Sequence, residues 1–121
     1  MATILIVDDE EPVRDFLAMM LNDAGHHSLQ AIHGAQALAV AQRNLPDLVI
    51  ADLMMPVLNG MELCRQLKAD KATHAIPVIL MSSASVRAGE RAGADAFIPK
   101  PFNLDEMEAL VQRLLASGTA H

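Results

Sequence analysis

Aromatic and basic residues are scarce in this sequence. It contains no Trp, no Tyr and three Phe residues, so it supplies few rings that could stack on nucleobases or on a flavin. Nine Lys and Arg residues stand against fifteen Asp and Glu residues, which gives a formal net charge of -6. Because that charge repels a phosphate backbone, the composition argues against direct binding of DNA or RNA.

Cysteines and long apolar runs are scarce as well. The single cysteine, Cys64, excludes an internal disulfide bond and a cluster of thiolate metal ligands. The longest apolar run, from Phe16 to Leu21, is far shorter than the roughly 20 residues that cross a bilayer. A secretory signal is not indicated either, because the amino terminus has a short strand-like run followed by acids. We therefore expect a cytoplasmic protein without a membrane segment.

What the sequence does contain is enough apolar material for one folded domain. The chain has 121 residues, of which 52% are apolar and 20% charged. This length leaves no room for a second core, so residues 1–121 are predicted to form a single domain.

Apolar periodicity predicts strands that alternate with helices. The continuous run Thr3–Val7 is typical of a strand buried on both faces, whereas Val13, Phe16, Leu17, Met20, Leu21 and Ala24 recur at helical spacing. The further predicted strands are His27–Ala31, Leu48–Ala51, Pro77–Met81 and Ala94–Pro99, and the further predicted helices are Gly34–Asn44, Gly60–Ala69 and Leu104–Leu114. This alternation predicts an α/β fold with a five-stranded parallel sheet, doubly wound and flavodoxin-like.

Chemically active side chains follow four of the predicted strands. Asp8 and Asp9 follow the first, Asp52 the third, Ser82 the fourth and Lys100 the fifth. Ligands of open parallel sheets bind at the carboxyl ends of the strands, so these groups are expected to meet at one edge. Taken singly, each acid has an ordinary structural explanation, such as favouring a helix start.

The combination of these groups points to phosphoryl chemistry. Three carboxylates that repel one another call for a cation, and an all-oxygen ligand set favours Mg²⁺ or Mn²⁺ over zinc. Transfer of a phosphoryl group needs such a metal, an opposing ammonium and neutral donors. Asp52, at the centre of the predicted site, is the carboxylate placed to attack phosphorus.

Four segments in order give the chain a resemblance to the receiver domain of two-component response regulators, over essentially its whole length. They are Ile4–Glu10 (ILIVDDE), Asp52–Gly60 (DLMMPVLNG), Pro77–Ser82 (PVILMS) and Gly93–Phe102 (GADAFIPKPF). The resemblance implies a signalling module that catalyses only its own phosphorylation and dephosphorylation. The expected phosphodonor is a histidine kinase or a histidine phosphotransfer protein, and the downstream target is not indicated.

The resemblance also implies roles for individual residues. Asp52 would accept the phosphoryl group and contact the metal; Asp9 would bind the metal directly, Asp8 mainly through water and Met54 through its backbone carbonyl. Ser82 would donate a hydrogen bond to the phosphoryl group and Lys100 would pair with it. Phe97 falls at the aromatic switch position, and the Lys100–Pro101 peptide is expected to be cis.

In one place the sequence departs from the family pattern. Ser82 and Phe97 are 15 positions apart (97 minus 82), about four fewer than is usual, or close to one helical turn. The intervening segment, 83–93, is poor in large apolar residues. A shortened fourth helix of two turns or fewer, or a mobile loop, is therefore expected there.

Three alternatives remain open at this point. A flavodoxin-like electron carrier would share the layering, but it needs a hydroxyl- and glycine-rich loop after the first strand, where this chain is acidic. A small-molecule aspartyl phosphatase usually has an Asp-x-Asp pattern there, in place of Asp8-Asp9-Glu10. A degenerate receiver that serves only as an interaction module is the third. Among the remaining residues, Cys64 is expected to pack inertly on a buried helix face.

Overall fold

The computed structural model describes residues 1–55, 57–82 and 93–118. The elements in chain order are β1 (Thr3–Val7), α1 (Glu11–Asp23), β2 (His27–Ala31), α2 (Gly34–Asn44), β3 (Leu48–Asp52), α3 (Gly60–Ala69), β4 (Val78–Ser82), β5 (Ala96–Pro99) and α4 (Leu104–Gly118). The predicted shortened fourth helix falls almost entirely on 83–92, which lies outside the described residues.

All five strands pair in parallel in the order β2-β1-β3-β4-β5. The chain therefore reverses its direction of growth across the sheet after β2, with β1 and β3 side by side and β3 at the centre. This arrangement confirms the predicted five-stranded, doubly wound α/β fold. It also brings the carboxyl ends of β1 and β3 next to each other, which determines where a site can form.

Alternate strand residues feed two cores, one on each face of the sheet, because successive side chains point to opposite faces. Leu5 and Val7 pack on one face with residues of α2 and α3, among them Ala37, Leu63 and Leu67. Ile4 and Ile6 pack on the other face with residues of α1 and α4, among them Leu17, Leu21, Met107 and Val111. Burial on both faces explains why these strands are continuous apolar runs.

Some boundaries and one apolar face were predicted wrongly. β4 begins at Val78 and not at Pro77, which has no N–H to donate to a neighbouring strand. β5 begins at Ala96, and β3 extends to Asp52. On α1, Phe16 is 44% exposed, while Ala18, which the predicted face omitted, is buried. Ala24 lies beyond the end of α1 and is exposed.

No helix within the described ranges is both long and apolar enough to span a bilayer.

Candidate functional site

The functional groups predicted from the sequence lie where their strands end. Asp8 directly follows β1, Asp52 is the last residue of β3, Ser82 is the last residue of β4, and Lys100 directly follows β5. Since β1 and β3 are neighbours, with Val7 opposite Ala51, Asp8 and Asp52 leave the sheet side by side.

Three carboxylates form a compact group at this edge. Oxygen atoms of Asp8, Asp9 and Asp52 all lie within 4.8 Å of one another. Asp8 is fully buried and Asp52 is 6% exposed, whereas Asp9 is exposed to solvent. An all-oxygen donor set with one solvent-facing member fits a Mg²⁺ or Mn²⁺ ion, because these ions prefer oxygen ligands and retain several waters.

Lys100 supplies the opposing positive charge. Its Nζ lies 3.3 Å from Oδ2 of Asp8 and 3.5 Å from Oδ1 of Asp52. Burial by itself would lower the pKa of Lys100, but the two carboxylates outweigh burial and raise it above its usual value. The ammonium therefore stays charged, and it partly compensates the charge of the cluster.

Asp52 is the carboxylate whose ionisation the site disfavours. Burial is the largest cause and the charge of Asp8 the next, and together they raise the pKa of Asp52 above its usual value. Lys100 and the backbone N–H of Met54, 3.4 Å from Oδ1 of Asp52, act in the opposite direction. A bound cation would therefore favour the ionised form of Asp52.

The first residue of α3, Gly60, packs closely against the end of β3. The N–H of Gly60 donates to the carbonyl of Leu53 at 3.0 Å. A Cβ on Gly60 would lie 2.5 Å from the carbonyl oxygen of Asp52, so only glycine fits at this position. Met54, between β3 and α3, is 65% exposed beside the site.

The other predicted residues occupy different positions around this group. Ser82 is buried, and its carbonyl accepts from the N–H of Lys100 at 2.7 Å. The Lys100–Pro101 peptide is cis, as expected. Phe97 is on β5 and pairs with Leu80 of β4. It is half-buried, packs against the core that contains Leu5, and lies outside the carboxylate group.

Sequence reasoning did not indicate two further residues next to the site, Arg14 and Gln30. Nη1 of Arg14 donates to the backbone carbonyl of Asp8 at 2.8 Å, and Nε of Arg14 donates to Oε1 of Gln30 at 3.2 Å. The available signal was the strand order: in this fold β2 flanks β1, so a polar residue near the end of β2 lies close to Asp8.

Cys64 and the described histidines lie outside the carboxylate group. Cys64 is fully buried, and burial is the main cause that raises the pKa of its thiol to about 11. His33 caps α2 by accepting from the N–H of Gln36 at 3.1 Å, and His26 accepts from the N–H of Ala2 at 3.2 Å. Cys64 therefore has a packing role, His33 caps a helix, and His26 binds the backbone near the amino terminus.

Residues 4–112 match the family model of the response regulator receiver domain. The chain belongs to this family. The receiver domain is the phospho-accepting module of two-component response regulators, and receiver domains bind Mg²⁺ at an acidic pocket, which Asp8, Asp9 and Asp52 form in this chain. Family membership confirms the resemblance and removes the flavodoxin-like and small-molecule phosphatase alternatives.

Individual relatives show the same relationship. The phosphate regulon transcriptional regulatory protein PhoB of Pseudomonas aeruginosa is 41% identical over 117 residues, which cover 93% of this chain and 51% of PhoB. The chain spans about half the length, or less, of the curated relatives it matches.

Two solved receiver structures closely resemble this fold. The receiver domain of a signal transduction histidine kinase from Syntrophus aciditrophicus has a TM-score of 0.92 at 31% identity, covering 100% of this chain and 95% of that one. The receiver domain of the sensor histidine kinase PA1611 from Pseudomonas aeruginosa was solved with magnesium in its active-site cleft. It has a TM-score of 0.88 at 25% identity, covering 95% of this chain and 98% of that one.

Proposed function

We propose that this receiver domain, spanning residues 1–121, accepts a phosphoryl group on Asp52 with Mg²⁺ bound beside it, and then signals by a change of conformation. The observation that supports this most directly is the position of Asp52. It ends the central strand, buried, in a group with two further carboxylates and 3.5 Å from an ammonium.

The covalent step is a displacement at phosphorus. An oxygen of the Asp52 carboxylate attacks the phosphorus atom of the donor, and an acyl phosphate forms. The bond that breaks is P–N when the donor is a phosphohistidine and P–O when it is acetyl phosphate, and the leaving group takes the bonding electron pair.

The chain's own residues have distinct tasks in this step. Lys100, already within 3.5 Å of Asp52, pairs with the phosphoryl oxygens, and the Ser82 hydroxyl donates to them. Asp9 would hold the metal directly, Asp8 mainly through water and Met54 through its backbone carbonyl, with Asp52 as a further ligand. When bound, Mg²⁺ or Mn²⁺ neutralises the carboxylate and phosphoryl charges that would otherwise repel.

The phosphodonor is a histidine kinase or a histidine phosphotransfer protein. Relatives of the chain include receiver domains of histidine kinases as well as response regulators, which supports this class of donor. The phosphoryl group would draw Ser82 inward and bury Phe97 further, so that β5 carries the change to a downstream protein. The chain would act on no substrate other than its own phosphoryl group.

Incubation with acetyl phosphate, followed by intact-mass measurement, tests the proposal. Wild-type protein is expected to gain the mass of one phosphoryl group with Mg²⁺ or Mn²⁺ and none with EDTA. Asp52→Asn is expected to gain nothing under either condition, because an amide oxygen is a much weaker nucleophile than a carboxylate.

Asp23→Asn is the matched control, since Asp23 is an exposed carboxylate at the far end of α1. It is expected to label like wild type. Equal labelling of Asp52→Asn would place the nucleophile elsewhere, and no labelling of wild type would favour the degenerate interaction module.

A further inference from the structure

The main-chain hydrogen-bonding groups and both carboxylate oxygens of Asp8 have partners in this structure. Its N–H donates to the carbonyl of Ala31 at 3.2 Å, and Oδ1 accepts from the N–H of Glu10 at 2.9 Å. Oδ2 accepts from Nζ of Lys100 at 3.3 Å. The remaining group, the backbone carbonyl, accepts from Nη1 of Arg14 at 2.8 Å.

That carbonyl belongs to the peptide that leads into the next residue. The carbonyl group of Asp8 and the N and Cα atoms of Asp9 lie in one planar peptide unit, so a bond that holds the oxygen also restrains the position of the Asp9 Cα atom, from which the carboxylate extends. Asp9 is exposed, and no hydrogen-bond donor within the described ranges reaches its carboxylate. The backbone on either side of Asp9, which includes this peptide plane, is therefore what restrains the position of its carboxylate.

Arg14 is itself held in place by a second contact. It is half-buried in the first turns of α1, and its Nε donates to Oε1 of Gln30 on β2 at 3.2 Å. Because the guanidinium is planar, two bonds from different edges fix its orientation. Gln30, Arg14 and the Asp8 carbonyl thus form a chain of contacts from β2 to the Asp8–Asp9 peptide.

We infer that Arg14 is a positioning residue for the metal site, which sets the Asp8–Asp9 peptide so that the Asp9 carboxylate faces the cation, with Gln30 holding Arg14. This inference rests on the proposed function, because it takes Asp8, Asp9 and Asp52 as the cation's ligands. It gives a chemical task to two side chains that touch neither the metal nor the phosphoryl group.

The sign of the effect separates positioning from simple charge. Arg14 is a cation close to a cation site, so electrostatics alone predicts that removing its charge strengthens the binding of a divalent ion. Positioning predicts the opposite, because outer contacts of metal ligands typically contribute about ten- to a hundredfold to affinity.

Titration with Mn²⁺, in which electron paramagnetic resonance measures the free ion, tests the inference without any phosphoryl transfer. Arg14→Met is expected to weaken Mn²⁺ binding by about tenfold. Arg14→Lys keeps the charge but has one nitrogen in place of the two that bond Gln30 and Asp8, and is expected to fall between Arg14→Met and wild type. Gln30→Met keeps Arg14 but releases its second bond, and is expected to weaken binding about threefold.

Arg65→Met is the matched control, because Arg65 is an exposed arginine on α3 that pairs with Glu62. It makes the same chemical change away from the site and is expected to bind Mn²⁺ like wild type. Thermal unfolding of each variant shows whether it is folded at the titration temperature. If Arg14→Met does not fold, the exposed substitution Gln30→Met decides the question alone.

The outcomes distinguish this inference from the proposed function. Arg14→Met binding as tightly as wild type, or more tightly, overturns the positioning role and leaves the metal site intact. Arg14→Lys falling between Arg14→Met and wild type while Gln30→Met weakens binding supports the two-bond geometry, and Gln30→Met binding as tightly as wild type overturns the role of Gln30 in holding Arg14. Wild-type protein that binds no Mn²⁺ overturns the metal site and the inference with it.

Discussion

Burial raises the pKa of both Asp52 and Cys64, but the two side chains have different neighbours. For Asp52, Lys100 and the N–H of Met54 lower the pKa but do not outweigh burial and the charge of Asp8, so the net shift is upward. Near Cys64 the positive charges of Lys68 and Arg65 do not offset burial, and the thiol stays neutral at physiological pH. The same physical cause therefore acts on a carboxylate within a charged cluster and on a thiol packed in the core.

The pKa of Cys64 predicts how stability changes in alkaline solution. The thiol pKa is about 11 in the folded protein against 9.0 as the reference, so between these values the unfolded chain releases the proton more readily. Stability is therefore full below pH 9 and is lost as pH rises, by at most about 1.4 kcal/mol per pH unit.

Urea unfolding at several pH values under reducing conditions measures this slope. Cys64→Ala lacks the thiol and is expected to lose stability less steeply over the same range, although a cavity lowers its stability at every pH. Only the slopes are compared, since the two proteins share every other ionisable side chain. Parallel slopes would contradict the assigned pKa.

At the scale of elements, the described residues between β3 and α3 include two positions with demanding backbone geometry. Gly60 is required where the start of α3 meets the end of β3, and Val57 adopts φ of 67°. This left-handed conformation is unusual for a β-branched residue, and the Val57 side chain is fully exposed and gains nothing from packing.

Replacing Val57 is expected to stabilise the domain. Val57→Gly relieves the unfavourable conformation, although added freedom of the unfolded chain offsets part of the gain, so a net increase of about 1 kcal/mol in unfolding free energy is expected. Val57→Asn is expected to stabilise as well, because Asn tolerates this region better than other side chains.

Chemical denaturation of the three proteins, together with Val57→Ala, measures the effect. Alanine shares the steric cost of a Cβ in the left-handed region, so Val57→Ala should be less stable than Val57→Gly. A Gly variant less stable than wild type would show that Val57 contributes something that its exposure does not reveal.

Periodicity located the elements well because burial on one or two faces leaves a simple pattern. Their ends depended on single atoms: Pro77 lacks the N–H that would extend β4, and Asp95 uses its side chain to accept from the N–H of Val78 at the start of that strand. Phe16 followed the helical spacing of α1, yet the packing left it partly exposed. Such details come from tertiary contacts that spacing does not encode.

The position of the carboxylate group could be predicted from the topology of a parallel sheet. The position of Arg14 beside that group could not. Asp8, Asp9 and Asp52 follow apolar strands, and parallel strands bring their carboxyl ends to one edge. Arg14 lies within a helix whose other charges are solvated, and only the strand order β2-β1-β3 brings Gln30 close enough to hold it. The roles of the site residues remain predictions.

For the whole molecule, the carboxylate group is a local concentration of the excess negative charge. The chain carries a formal charge of -6, and three of its acids lie within 4.8 Å of one another with Lys100 as the nearby ammonium. Repulsion among these acids lowers the stability of the metal-free protein, and a divalent cation removes that cost.

Magnesium is therefore expected to raise the melting temperature of the whole domain. A ligand that binds only the native state at tenfold excess over its Kd adds about 1.4 kcal/mol, which corresponds to several degrees for a domain of this size. Thermal unfolding after EDTA treatment, with and without MgCl₂, measures the rise, and NaCl at equal ionic strength separates ion binding from general screening. Asp9→Asn removes one negative ligand, so its metal-free form should melt above wild type while its response to magnesium is blunted. Asp23→Asn should respond like wild type, and a magnesium response in Asp9→Asn as large as that of wild type would exclude Asp9 as a ligand.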